Sequence, residues 1–156
     1  MRKALIEALT QMAILDPRIW LLTADVGYRV VEPFQLAHPD RFLNVGVREQ
    51  VLISVAAGLA RGGCRPVTYS MCAFYLRALE QIRNDIAWPG LAVLMLGVGA
   101  GKTYGQQGYS HWGIEDESAM RALRQLRVGT YTKHLTALRA LRRALDGRNP
   151  VYMRVP

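Results

Sequence analysis

Three side chains that can exchange protons near neutral pH stand directly after short apolar runs of the sequence. Asp25 follows IWLLTA, Glu49 follows FLNVG, and His111 closes a glycine-rich loop after LAVLMLGV. Carboxyl and imidazole groups in such positions are candidates for acid–base chemistry. Asp25 could equally cap a helix, a Glu at a helix start is often favoured by the helix dipole alone, and a lone His is often structural. Both kinds of role are open for each residue at this point.

The glycine-rich segment LGVGAGKTYGQQGYSH (96–111) is close to two phosphate-binding motifs and matches neither. A P-loop needs Gly where Leu96 stands and must open into a helix, whereas three more glycines follow here. The dinucleotide motif G-x-G-x-x-G fails because Lys102 or Tyr104 stands where its third glycine belongs. These mismatches exclude nucleotide hydrolysis. The glycines still allow the backbone to approach a ligand closely, or to turn tightly without one.

Helical and strand-like segments alternate along the chain. We predict helices over RKALIEALTQMA, EQVLISVAAGLARGG, AFYLRALEQIRNDIAW, EDESAMRALRQL and HLTALRALRRALDG, the last with Leu135, Leu138, Leu141 and Leu145 on one side. Between them lie the apolar runs IWLLTA, FLNVG, RPVTYS, LAVLMLGV, RVGTYT and PVYMRV. Apolar runs separated by helices predict one α/β domain over 1–156, with a mostly parallel sheet covered by helices on both faces. Ligands of such sheets bind beyond the carboxyl ends of the strands.

Four blocks of the sequence together resemble the pyrimidine-binding domain of the transketolase family. They are LLTADVG, PDRFLNVGVREQVLISVAAGLARGGCRPV, FYLRALEQIRNDIA and the loop ending GYSHWGIED. The resemblance runs from about Arg2 to the closing PVYMRVP and is most specific over 42–66. It implies a thiamine diphosphate-binding fold and a thiamine diphosphate-dependent enzyme.

The resemblance implies that Glu49 is the residue that activates the cofactor. Enzymes of this family hold N1′ of the cofactor's aminopyrimidine ring with a carboxyl group, and this contact prepares the loss of the cofactor's C2 proton. Burial against the apolar helix VLISVAAGLA favours the protonated carboxyl, whereas the helix N-terminus favours the anion. We expect burial to dominate.

The resemblance also implies the cofactor wall. Asp25, Met71, Phe74 and Arg77 match its positions, and Phe74 is the candidate for stacking on the pyrimidine ring, although core packing would also explain an aromatic residue there. Relatives have an aromatic residue where this chain has Met71, and some have Tyr where it has Arg77. Met can still line a ring through its polarisable sulfur.

On the substrate side, the resemblance implies contacts from Arg2, Gln107 and His111. Arg2 matches the family's phosphate-binding Arg, and His111 matches the His that faces the substrate's hydroxyl and carbonyl groups. Gln107 stands where sugar-handling transketolases have Asp, and Gly99 stands where they have a second His. These two departures argue against an ordinary ketose-phosphate acceptor.

The chain lacks the Gly-Asp-Gly motif with which the family binds the diphosphate and Mg²⁺. No acidic cluster is placed to bind Mg²⁺ through the chain's own ligands, and Cys64 and Cys72 make neither a disulfide framework nor a zinc site. We therefore expect a split enzyme, in which a separate subunit supplies the Gly-Asp-Gly domain. The natural symmetric assembly is α2β2, with each site at a subunit interface.

The charge and composition fit such an enzyme. Residues 1–120 carry eleven Lys/Arg and eleven Asp/Glu, whereas 121–156 carry nine basic residues and one acid. Arg139, Arg142 and Arg143 form either a solvated helix face or a docking surface for an acidic carrier-protein domain. No aromatic residues alternate with them, so nucleic acid is not an expected partner. Glu7 interrupts what would be a signal peptide, and no apolar run is long enough to span a membrane, so we expect a cytoplasmic chain.

The expected function is transfer of a two-carbon ketol or related acyl unit by a split transketolase-like enzyme. One alternative is the β subunit of a 2-oxo acid dehydrogenase E1 component, which the blocks RFLNVGVREQ and GYSH disfavour. Another alternative is a catalytically empty regulatory subunit. Glu49 and His111 argue against it, whereas Met71 and Gln107 keep it open.

Overall fold

Six short strands form one parallel sheet in the computed structural model, which describes residues 1–156. The strands are β1 (Ile19–Thr23), β2 (Phe42–Asn44), β3 (Arg65–Met71), β4 (Leu94–Val98), β5 (Arg127–Thr130) and β6 (Val151–Val155). Their spatial order is β2-β1-β3-β4-β6-β5, and every neighbouring pair is parallel. The predicted α/β class with a parallel sheet is confirmed.

Seven α-helical segments connect these strands. They are α1 (Arg2–Leu15), α2 (Glu32–Ala37), α3 (Glu49–Arg61), α4 (Cys72–Tyr75), α5 (Leu79–Gln81), α6 (Asp116–Arg121) and α7 (His134–Asp146). Short 3₁₀ segments cover Pro39–Arg41, Leu76–Ala78, Gly105–Gln107 and Tyr109–His111, and a π-helical segment covers Ile82–Ala87. None of the helices is long and apolar enough to cross a membrane.

Helices cover both faces of the sheet, because neighbouring strand residues point to opposite sides. Leu21 of β1 belongs to a buried cluster that includes residues of α1 and α7. Leu22, the next residue, belongs to a second buried cluster that includes residues of α3 and of the segment 72–87. A strand that is buried on both faces reads as a continuous apolar run, which is how these strands could be recognised in the sequence.

The segment 73–88 is not the single helix that its pattern predicts. Ala78, with φ −112° and ψ 18°, leaves the helical conformation, so the chain passes through α4, a 3₁₀ turn, α5 and a π-helical turn. The apolar residues Tyr75, Ile82 and Ile86 are still fully buried. The helical pattern therefore identified the buried face correctly, but it missed the break that carries Arg77 on the 3₁₀ turn.

Two further predictions about helices need correction. Leu135 is 68% exposed, and Ala137, Leu141 and Leu145 form the buried stripe of α7 instead. Residues three apart fall 60° short of a full helical turn, so two such steps carry Leu135 about 120° away from Leu141. The short helix α2 was not predicted. Its six residues are too few to show a period, although Glu32 and Pro33 are typical of a first helical turn.

A buried ion pair fixes the base of the glycine-rich loop. Arg154 of β6 binds both carboxylate oxygens of Asp116, through Nε at 2.6 Å and Nη2 at 3.0 Å, and Nη2 also donates to the carbonyl of Gly113 at 2.9 Å. Gly113 in turn exchanges backbone hydrogen bonds of 2.6 and 2.9 Å with Gly101. Burial by itself would lower the pKa of Arg154, but the hydrogen bonds and charge of Asp116 outweigh it and raise that pKa.

We predict that Asp116→Asn lowers the free energy of unfolding by about 3 kcal/mol, because it leaves the buried Arg154 cation without its counter-charge. The expected fall in Tm is roughly 6–12 °C for a chain of this length, measured by calorimetry or circular dichroism. Arg121→Ala is the control, since its ion pair with Glu117 is exposed and contributes at most about 1 kcal/mol. Equal effects of the two variants would contradict the role given to the buried pair.

Candidate active site

The predicted site residues lie at one edge of the sheet. Asp25 follows β1, Glu49 opens the helix after β2, and Met71 ends β3. The glycine-rich loop follows β4, and all four strands are neighbours in the order β2-β1-β3-β4. Parallel strands that run side by side place their carboxyl ends together, which is where ligands of such sheets bind.

Four of the predicted residues form a continuous chain of contacts. Arg77 Nη1 donates to Glu49 Oε2 at 3.0 Å, and the Arg77 guanidinium carbon lies 5.0 Å from the centroid of the Phe74 ring. The ring of Phe74 meets the ring of His111 edge to face, with centroids 5.3 Å apart. The structure therefore brings the predicted catalytic Glu49 and His111 to opposite ends of one cluster.

The carboxyl group of Glu49 is buried but only half satisfied. The residue is 1% exposed, at the first position of α3. Oε2 accepts from Arg77, whereas Oε1 is buried and has no hydrogen-bond partner within the chain. A buried polar atom without a partner costs free energy, so such atoms in folded proteins call for an explanation, often a ligand.

Asp25 lies apart from this cluster and does not cap a helix. Its backbone N–H donates to Asn44 Oδ1 at 2.9 Å, and Asn44 Nδ2 donates to Asp25 Oδ1 at 3.2 Å. Asp25 has φ 57°, and the next helix, α2, begins only at Glu32. The helix-capping interpretation is therefore wrong. Asn44, the last residue of β2, is the partner that the sequence analysis missed, although its place at a carboxyl strand end is a recognisable signal.

Arg2 binds a residue of the glycine-rich loop. Its guanidinium donates to the hydroxyl of Tyr104 and lies 5.5 Å from the centroid of that ring. The Tyr104 ring also fills the space beside Gly99, where a Cβ would stand 2.5 Å from the ring and 3.7 Å from Met71 Cε. Gly99 has φ 79°, which further disfavours a side chain there. Tyr104 was not singled out in the sequence, and no motif identifies it.

The remaining substrate candidates lie on the same loop. Gln107 is exposed on the 3₁₀ turn Gly105–Gln107. His111 ends the next 3₁₀ turn, is partly buried, and has Nδ1 2.9 Å from Ser110 Oγ. The loop thus holds His111 against Phe74 and leaves Gln107 facing solvent.

Other groups in the chain do not form a second reactive centre. Burial raises the pKa of Cys72 to about 12, with a further contribution from the charge of Asp116, so this thiol stays protonated. No three His, Cys, Asp or Glu side chains come together in a group that could hold a metal ion. The largest hollow, about 530 Å³, is lined by residues such as Arg83, Trp88 and Arg124 and includes none of the predicted site residues.

The arginines of α7 lie on a separate surface. Arg139 and Arg143, with Arg127, Tyr131 and Thr136, line a groove of about 390 Å³. None of these three arginines forms an ion pair within the chain. Docking of an acidic carrier domain on this surface stays a prediction.

The chain matches proteins of one family over its whole length. The model of the transketolase pyrimidine-binding domain covers residues 1–156. A putative transketolase C-terminal section of Methanocaldococcus jannaschii is 36% identical over 158 residues, which cover 100% of this chain and 50% of that protein. The 1-deoxy-D-xylulose-5-phosphate synthase of Thermus thermophilus is 33% identical over 152 residues, 96% of this chain and 24% of the synthase. The chain thus spans only a quarter to a half of these relatives.

Solved structures give the same result. A split-gene transketolase, described as an inactive β4 tetramer, superposes with a TM-score of 0.85 at 34% identity and covers 98% of this chain and 50% of that chain. Transketolase from Leishmania mexicana superposes with a TM-score of 0.88 over 99% of this chain and 24% of that chain, and at 21% identity this likeness shows the fold alone. The resemblance stated from the sequence is confirmed, and the chain belongs to the transketolase family, whose pyrimidine-binding domain it spans.

Proposed function

We propose that this chain forms the pyrimidine-binding half of a thiamine diphosphate site in an enzyme that transfers a two-carbon ketol or related acyl unit. The observation that carries this proposal is the buried Glu49 carboxyl with its unpartnered oxygen Oε1. Membership of the transketolase family supports it, because the chain retains the carboxyl in the position of the family motif.

The residues present fit the pyrimidine end of this cofactor. Glu49 Oε1 is a buried acceptor that needs a donor, and Phe74 offers an aromatic ring beside it. Met71, at the end of β3, adds a polarisable sulfur to the same region. The diphosphate and Mg²⁺ do not fit this chain, since its carboxylates form no group that could hold a metal ion. We assign those contacts to a partner that carries the Gly-Asp-Gly motif.

Bound thiamine diphosphate supplies a thiazolium C2 that, once deprotonated, attacks a substrate carbonyl. The part of this chain is to hold the proton that this chemistry needs. Glu49 exchanges a proton with the ring nitrogen N1′ from a site that burial shields from water. His111, at the other end of the cluster, faces the substrate and holds its hydroxyl or carbonyl oxygen, as the family motif implies.

Several observations support a partner chain. Glu49 is flanked by exposed apolar residues, since Val47 is 67% and Val51 is 43% exposed. Exposed apolar surface around a buried polar group is typical of an interface. The solved split-gene relative is described as inactive when it is a β4 tetramer, and the name of another relative, from Actinobacillus succinogenes, makes it one of the subunits of an apulose-4-phosphate transketolase. We propose an α2β2 assembly with the sites at the subunit interfaces.

The two alternative functions receive less support. The similar proteins named above are transketolases and a synthase of the same family, which favours transketolase-like transfer over a 2-oxo acid dehydrogenase β subunit. A catalytically empty subunit would need no unpartnered buried carboxyl, yet Glu49 keeps one beside Phe74 and His111.

Glu49→Gln, in the enzyme assembled with its partner, is expected to slow exchange of the cofactor's C2 proton by about 10² or more, because an amide cannot relay the proton. The rate is followed by NMR through hydrogen–deuterium exchange. Glu80→Gln, a change at an exposed acid of the segment 72–87, is the control and should exchange at the wild-type rate. Wild-type exchange in the Glu49→Gln enzyme would reduce Glu49 to a helix-start residue.

The isolated chain is expected to bind thiamine diphosphate with Mg²⁺ weakly or not at all, because the ligands for the diphosphate and the metal lie on the partner. Isothermal titration calorimetry of the chain, alone and co-purified with the partner, measures the difference. Tight, Mg²⁺-dependent binding to the chain alone would contradict the split site.

Aldose phosphates are expected to be poor acceptors. Gly99 and Gln107 replace an imidazole and a carboxylate that contact sugar hydroxyls in relatives, and Arg2 is already bound by Tyr104. Each missing hydrogen bond costs about 1–3 kcal/mol, so kcat/KM for xylulose 5-phosphate with ribose 5-phosphate should be low, and Gln107→Asp should raise it. Robust turnover by the unchanged enzyme, not improved by Gln107→Asp, would overturn this prediction.

A further inference from the structure

Arg77 makes two contacts that differ in kind. Its Nη1 donates to the buried oxygen Oε2 of Glu49 at 3.0 Å, and its guanidinium plane carries its carbon 5.0 Å from the centre of the Phe74 ring. The side chain of Arg77 is nevertheless 51% exposed, whereas that of Glu49 is 1% exposed. Arg77 thus reaches from solvent across the Phe74 ring to the only paired oxygen of the carboxylate.

A buried carboxylate needs such a partner when no ligand is present. An unpaired charge in a protein interior is costly, and a guanidinium that donates to it offsets part of that cost. No other side chain of the protein donates to Glu49. The chain without a ligand therefore depends on Arg77 for the charge balance of its buried acid.

The two contacts of Arg77 are also the contacts expected of an aminopyrimidine. Guanidinium and aminopyrimidine are both planar, both donate N–H groups to a carboxylate, and both lie against aromatic rings. We call the space bounded by the Glu49 carboxylate and the Phe74 ring the Glu49–Phe74 seat. We infer that Arg77 is a placeholder: its guanidinium occupies the Glu49–Phe74 seat in the empty chain and moves out into solvent when the pyrimidine ring binds. This inference rests on the proposed function of Glu49.

The placeholder and a permanent wall residue make opposite predictions. A wall residue contributes to the affinity for the ring, so its removal weakens binding. A placeholder competes with the ring, so the apparent affinity is reduced by the fraction of molecules in which the seat is free. Removal of the Arg77 guanidinium should then strengthen binding of the ring while it destabilises the empty chain.

The test uses 4-amino-2-methylpyrimidine as the probe and the full chain without partner, with binding followed by NMR titration. Arg77→Ala is expected to bind the probe about tenfold more tightly than wild type, as for a seat that Arg77 fills nine-tenths of the time. Arg77→Gln, which keeps a polar side chain without charge, should also bind more tightly. Arg83→Ala is the matched control, because Arg83 is exposed on the same segment and bonds only to its neighbour Asn84.

Thermal unfolding of the same chains gives a second readout that does not depend on the probe. Arg77→Ala should lower the Tm by roughly 2–4 °C, a modest effect because the Arg77 side chain is half exposed. In a Glu49→Gln background, the same change should have almost no effect, since the neutral amide no longer needs a cation. Equal losses in both backgrounds would show that Arg77 stabilises the chain through packing and would overturn the charge-balancing role.

The outcomes separate this inference from the proposed function. If Glu49→Gln abolishes probe binding and Arg77→Ala does not improve it, Glu49 is the pyrimidine ligand and the placeholder is overturned. Weaker binding to Arg77→Ala makes Arg77 a wall residue and also overturns it. Probe binding that is indifferent to Glu49→Gln overturns the proposed function itself. Absence of binding to Arg77→Ala up to the solubility limit of the probe overturns the placeholder as well.

Discussion

The arrangement of the site depends on one buried ion pair, between Arg154 and Asp116. A buried guanidinium must have nearly all its donors satisfied, and Arg154 satisfies them with Asp116, Glu117, Thr130 and the Gly113 carbonyl. These partners come from β5, α6 and the end of the glycine-rich loop, so a single cation ties three consecutive parts of the chain to β6. The paired hydrogen bonds between Gly101 and Gly113 then close the loop at its base. His111 is placed against Phe74 because both ends of its loop are fixed in this way.

Glu49 shows the opposite use of a buried charge. Arg154 and Asp116 satisfy one another, whereas Glu49 has one oxygen bonded to a half-exposed Arg77 and the other bonded to nothing. A carboxyl group that is fully paired is a structural element, and one that is left half paired keeps the ability to bind something else. The difference between the two acids therefore distinguishes the supporting network from the binding site without reference to any motif.

The sequence predicted the sheet well because strands that are buried on both faces read as continuous apolar runs, and helices between them force parallel order. It also identified the site edge, since Asp25, Glu49 and the glycine-rich loop each follow a strand. The ion pair between Arg77 and Glu49 could not be predicted, because the residues are 28 positions apart and meet only where Ala78 leaves the helical conformation. Leu135 was assigned to the core because spacing by three residues resembles a stripe over one turn and drifts away from it over two.

Tyr104 shows how a substitution changes a site through the space it opens. Gly99 has no side chain, the Tyr104 ring lies where a Cβ at this position would point, and its hydroxyl binds Arg2. A side chain at position 99 and the present place of the Tyr104 ring exclude one another, so the two cannot be exchanged independently. Because Arg2 bonds to that ring, the loss of a side chain at position 99 also determines what a cation at the start of α1 contacts. The polarity of this side of the site is thus set jointly by residues 2, 99 and 104, and a change of acceptor chemistry would require all three to change together.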